Sequence, residues 1–114
     1  MTDQIPTLDE FLARGPNKFP RNSYVREKGF ESLYVRWGVH MINGELLHCF
    51  DVANAAACCP GHGAFKALVK KLRTSIPNWP IYIENVLNEK FLRGLPKLGF
   101  VRVADSHPPS FILK

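Results

Sequence analysis

The spacing of apolar residues along this chain changes period several times, and each change marks an element. Residues 32–42, SLYVRWGVHMI, are rich in β-branched and aromatic residues, and the same texture returns in residues 45–55, ELLHCFDVANA, after Asn43-Gly44. Two such runs around Asn-Gly, the pair best suited to a two-residue turn, predict an antiparallel hairpin. From Gly61 the period is helical: Phe65, Leu68, Val69, Leu72 and Ile76 recur at three and four, with Lys66, Lys70 and Arg73 set away from them. That pattern predicts an amphipathic helix lying on a sheet. Pro77 and Pro80 break it, and IYIENV follows as a short strand with Ile81 and Ile83 on one face. NEKFLRGL reads as a second helix, which Pro96 and Gly99 stop. FVRVA and SFILK read as terminal strands separated by a Ser-His-Pro-Pro turn. The expected order is β-β-α-β-α-β-β, without repeats.

The first 30 residues differ in texture. Thr7 and Glu10 have capping-box spacing before a short helix, LDEFLAR, which Gly15-Pro16 should end. GPNKFPRNS is then rich in turn formers. Residues 1–30 are therefore expected to form an arm lying over a domain of residues 31–114.

A length of 114 residues suits one domain with a modest core. No apolar run approaches the ~20 residues of a membrane span. The start, MTDQIPTLDEF, has neither a basic nor an apolar stretch, so the expected compartment is the cytoplasm. Cys49, Cys58 and Cys59 are odd in number and two are adjacent, which argues for reduced thiols over a disulfide framework. The net charge of +5 favours an anionic partner: nucleic acid, an acidic protein or a phosphorylated small molecule. Between Asp51 and Glu84 there is no acidic residue, while Lys66, Lys70, Lys71 and Arg73 fall there. The middle of the chain is locally positive.

The densest chemistry lies in CCPGHGAFKALVKKL, residues 58–72. Cys58, Cys59, His62 and the more distant His48 offer soft ligands, but adjacent cysteines lack the paired spacing that lets a chain turn around zinc. His107 stands alone among prolines, so no metal site is expected. A nucleophilic cysteine would need a base and an orienting partner, and none is set beside it. A strand, a glycine turn and a helix together leave backbone N–H groups at the positive end of the helix dipole, which makes an anion site. Neither the Walker loop nor the dinucleotide fingerprint is met, since Lys66 is followed by Ala67 and stands where the latter needs glycine. On these glycines alone, Gly61 and Gly63 either build that anion site or only shape the helix entrance.

The order of these parts resembles the GNAT superfamily of N-acetyltransferases. There, a strand leads into R-G-x-G-x-G/A and a helix, then a strand and a helix that starts N-x-x-A and ends Y-x-x-x-G-F. Here the first element reads Pro60-Gly61-His62-Gly63-Ala64-Phe65, and the second Asn88-Glu89-Lys90-Phe91, then Leu95, then Gly99-Phe100. The resemblance covers about residues 32–114. It implies an α+β fold: a central, mostly antiparallel twisted sheet with two packed helices, abbreviated at the N-terminus. It also implies acetyl-CoA as the cofactor. In such proteins the strand before the loop and the strand after the helix splay apart, and the pantetheine arm lies along the first. By this carry-over Asn54, Ala55, Ala56, Ala57 and Cys58 run beside the pantetheine. The N–H groups of Gly61, His62, Gly63, Ala64 and Phe65 hold the pyrophosphate, and Asn88 faces the cofactor from across the cleft. Three positions depart from the pattern: Pro60 where the family has Arg or Gln, Phe65 where it has a small residue, and Leu95 where many members carry the tyrosine that protonates the leaving thiolate.

Amine acetylation needs a base and an oxyanion donor. Asp51 and Glu84 are the candidate catalytic bases, with His40 and His48 behind them, and N–H groups around Ala55 are the candidate donor. Two functions follow. One is a small N-acyltransferase of phage or bacterial type, acetylating an amine on a protein or small-molecule acceptor. The alternative is a non-catalytic GNAT-like module that binds a host protein or a nucleic acid, with Trp37, Tyr34 and Phe30 near its basic charge. The last strand can also pair between two copies in a homodimer.

Overall fold

The computed structural model describes residues 5–58, 63–84 and 89–114. It is an α+β structure with a mixed six-stranded sheet and three helices. In chain order these are α1 (Leu8–Arg14), β1 (Asn22–Tyr24), β2 (Phe30–Ile42), β3 (Glu45–Ala57), α2 (Ala64–Ser75), β4 (Ile81–Ile83), α3 (Glu89–Gly94), a 3-10 turn (Pro96–Leu98), β5 (Val101–Arg102) and β6 (Phe111–Leu113). The strands lie in the order β1-β2-β3-β4-β6-β5. Every neighbouring pair is antiparallel except β3 and β4, which are joined through α2 and run parallel. A parallel pair needs such a crossover. Among the described residues no helix is long and apolar enough to cross a membrane.

The hairpin of β2 and β3 is the backbone of the fold, and it turns at Asn43 and Gly44, with φ of 52° and 79°. Both values fall in the left-handed region that a type I′ turn requires, which is why Asn-Gly stands there. Strand alternation then sends Leu33, Val35, Trp37, Phe50 and Val52 to one face, where they join Leu8 and Phe11 of α1 and Leu68, Val69 and Leu72 of α2 in the main core. Trp37 is the hub: its ring stacks with Phe11 (6.2 Å) and meets Phe50 (4.9 Å) and Trp79 (4.8 Å) edge-on. The opposite face carries a smaller apolar group, Ile42, Cys49, Tyr82 and Ile112.

The N-terminal arm adds to both the core and the sheet. Leu8 and Phe11 are fully buried in the main core, and β1 extends the sheet beside β2. The predicted capping box is present: the Thr7 hydroxyl accepts from the Glu10 N–H and Glu10 Oε1 accepts from the Thr7 N–H. Lys71 of α2 ties the arm down through Asp9 (3.1 Å) and Glu27 (2.9 Å).

Candidate functional site

The β3 strand has two halves with different neighbours. Phe50, Asp51 and Val52 pair with β2 on one side and with Ile81, Tyr82 and Ile83 of β4 on the other. From Ala53 to Ala57 only the β2 side is paired among the described residues. The change coincides with a bulge: Tyr34 opposes Asn54 but Val35 opposes Val52, so Ala53 is the extra residue. A bulge re-aims the backbone and ends regular pairing.

The register also fixes which backbone groups face the β4 side. The Leu33 carbonyl accepts from the Val25 N–H at 2.8 Å, on the β1 side. Leu33 therefore turns its polar groups away from β3, and its partner Ala55 turns its own N–H and C=O toward the β4 side. The side chains along this stretch are Ala53, Asn54, Ala55, Ala56 and Ala57, four of them no larger than a methyl group.

Gly29 gathers both ends of the loop that leads from β3 to α2. Its carbonyl accepts from the Cys58 N–H at 3.0 Å, and a Cβ at Gly29 would lie 2.9 Å from the Ala64 Cβ. The positive φ of 91° there also favours glycine. At the other end Gly63, with φ of 77°, is the N-cap residue of α2. Phe65 turns its ring toward Phe100, 6.2 Å away, and packs against the main core. The large ring at this position is thus accommodated by the core. Gly61, His62 and Asn88, with Cys59 and Pro60, lie outside the described residues.

Beside the end of the described β3–β4 pairing, on the face away from α1 and α2, stands a linked set of charged side chains. Arg36 Nε donates to Asp51 Oδ2 at 2.7 Å, and Arg36 Nη2 donates to Glu84 Oε1 at 2.6 Å. The two acids proposed as bases are thereby joined through one guanidinium. His40 Nε2 lies 2.9 and 2.8 Å from the two Asp51 oxygens, and its ring stacks on Tyr82 at 3.7 Å. An ionised Asp51 only accepts, so Nε2 then carries the proton. Arg36, Gly38 and His40 share this face because they alternate along β2. Gly38 makes the arrangement possible, since any Cβ there would collide with the Asp51 carboxylate.

The acids differ in exposure: Asp51 is 0% and Glu84 is 26% exposed in its side chain. Burial pushes the Asp51 carboxyl above its ordinary value, against the hydrogen bonds from Arg36 and His40. Burial, and then the Asp51 charge, raise the nearby Cys49 thiol to about 11. A thiol held neutral in this way is a poor nucleophile, and Cys58 is exposed. Among the described residues no group of three or more His, Cys, Asp or Glu is placed to hold a metal ion.

Of the fallback bases, His40 is in the cluster and His48 is not. His48 lies on the helix-covered face, edge-on to Trp79 at 6.4 Å. Sequence reasoning missed Arg36, Gly38 and Tyr82. A signal was there for the first two, since a strand that buries Val35 and Trp37 must present Arg36 and Gly38 together on the reverse side. Leu95, where the resemblance expects a tyrosine, is fully buried in the main core. Compared with family models, with curated proteins and with solved structures, the chain matches none.

Proposed function

We propose that this protein is a small acyl-CoA-dependent N-acyltransferase of GNAT-like architecture. The observation that carries the reading is the divided β3 strand: a parallel neighbour over Phe50–Val52, then a stretch of small residues that, among the described residues, pairs only with β2 and leads toward Gly63 and α2. An extended pantetheine arm offers amide groups to such a stretch, and Ala55 and Ala57 are the residues whose backbone groups face it. The first turn of α2, entered through Gly63, suits a pyrophosphate by its dipole and N–H groups. Lys66 and Lys70, both exposed on α2, add longer-range attraction. When bound, acetyl-CoA supplies an acetyl thioester.

The chain's own residues then have separate tasks. Glu84, partly exposed at the end of β4, is the group that takes a proton from the acceptor amine. Asp51 does not meet the amine; it fixes Arg36 and His40, and Arg36 fixes Glu84. With Leu95 sealed in the core, the proton for the departing thiolate comes from water or from the acceptor's own ammonium. That burial also favours the second reading, a module that holds acyl-CoA or a partner without turnover.

Calorimetric titration of acetyl-CoA into the protein, with Gly63→Asp as control, tests the proposal. Binding that Gly63→Asp abolishes is expected. No heat up to millimolar acetyl-CoA would refute the acyl-CoA reading. Binding without transfer to any of a panel of amines would favour the non-catalytic module.

A further inference from the structure

A second cleft in the molecule lies apart from the β3 edge and the Arg36 cluster. Where the arm meets the far end of the hairpin, a cleft of about 760 Å³ is lined by Asn17, Phe19, Arg21, His48, Asn78 and Trp79, with Pro16 at its side. This volume falls within the ~300–1,000 Å³ range of small-molecule sites. Its lining includes rings, amides and a cation but no carboxylate.

The rings differ in how they are held. Trp79 is wedged edge-on against buried Trp37 at 4.8 Å, and His48 stands edge-on to it at 86°. It is a fixed platform. Phe19 is 84% exposed, far more than a core aromatic, and offers a free ring face. Arg21 has a buried Nε with no hydrogen-bond partner among the described residues, as do Arg14 Nε and Trp37 Nε1, and it enters none of their ion pairs. A buried donor without an acceptor is costly, which leaves the Arg21 guanidinium in want of an anionic neighbour. Lys18 and Arg14 flank the same segment, and the chain carries a net charge of +5.

We infer that this cleft binds a nucleotide unit, with the base against the Phe19 and Trp79 rings and the phosphate on Arg21. The Asn17 and Asn78 amides, each both donor and acceptor, are suited to the base edge. Stacking tolerates any base and a guanidinium tolerates any phosphate, so the site reads nucleotide chemistry without sequence. The unit can come as a free mononucleotide or as one residue of a single strand. The inference stands whether or not the acyltransferase reading does.

The test uses thymidine ligands, so that a site for the adenine nucleotide of CoA is not probed. Thymidine monophosphate and a short fluorescent deoxythymidine oligomer are titrated separately at low salt, by calorimetry and by anisotropy. The oligomer binding much more tightly than the monophosphate identifies a strand as the source, and equal affinities identify the free nucleotide. In either case Phe19→Ala should weaken binding by about tenfold or more. Arg21→Gln should lower the slope of log affinity against log salt by about 1. Phe19 is exposed, so its variant keeps the fold, and a thermal melt verifies this. Absence of binding by both ligands, or binding that neither substitution alters, would overturn the inference.

Discussion

The two faces of the sheet are made by the same two strands, yet one holds the fold and the other holds the candidate chemistry. On the helix-covered face, Leu33, Val35, Trp37, Phe50 and Val52 are apolar and buried against α1 and α2. On the reverse face, the alternate positions Arg36, Gly38, His40 and Asp51 form a polar network that includes a fully buried carboxylate. Burying a Phe or Leu contributes about 1.5–3 kcal/mol through area alone. A buried ion pair contributes little net, because desolvation offsets most of its attraction. Alternation in a strand thus lets one hairpin carry stability on one side and a costly charged cluster on the other.

Truncation of the packed face should show the largest effect. Phe50→Ala removes a fully buried ring that touches Trp37 and Phe11, and should cost about 3–5 kcal/mol in denaturant unfolding. A cost under 1 kcal/mol would erase the contrast between the faces. On the polar face, Gly38→Ala forces a methyl group against the Asp51 carboxylate and should cost about 1–3 kcal/mol. Its distinguishing mark should be a loss of acetyl transfer larger than the stability loss explains.

Asp51→Asn sharpens the comparison through pH. Because burial raises the folded-state carboxyl above its unfolded value, Asp51 contributes most to stability below the unfolded pKa. That contribution fades as pH rises through the raised folded value. The stability advantage of wild type over Asp51→Asn should accordingly be greatest at the acid end of the carboxylate range and shrink upward. The opposite slope in urea melts at several pH values would mean that the Arg36 and His40 bonds outweigh burial.

Smaller effects are expected at the margins. Thr7→Ala breaks the capping box of α1 and should cost about 1 kcal/mol, read from the urea midpoint. A thiol reagent should modify exposed Cys58 in the native protein and leave Cys49 unmodified until the chain unfolds, as peptide mapping would show. Early labelling of Cys49 would mean that the polar face opens readily.

The long elements were legible because their signals are local. Asn43-Gly44, the β-branched runs around it, the Thr7–Glu10 box and the three-and-four spacing of Leu68, Leu72 and Ile76 each depend on a few adjacent residues. What was not legible depends on register between distant segments. Nothing near Glu84 in the chain shows that it shares a guanidinium with Asp51, and nothing in the arm shows that Leu8 and Phe11 reach under the hairpin. The bulge at Ala53 has no sequence signature, since it appears only when β2 and β3 are aligned residue by residue. Arg36, which joins Asp51 and Glu84, has no local sequence signal that sets it apart from the other cations of the chain.

Amide hydrogen exchange shows residue by residue whether the β4-facing side of β3 beyond Val52 receives an acyl-CoA arm. Exchange is followed across residues 53–58 with and without acetyl-CoA. The account predicts that the amides of Ala55 and Ala57 slow on addition of acetyl-CoA, while Asn54 and Ala56, which face β2, change little. Unchanged exchange at Ala55 and Ala57 under saturating acetyl-CoA would contradict it.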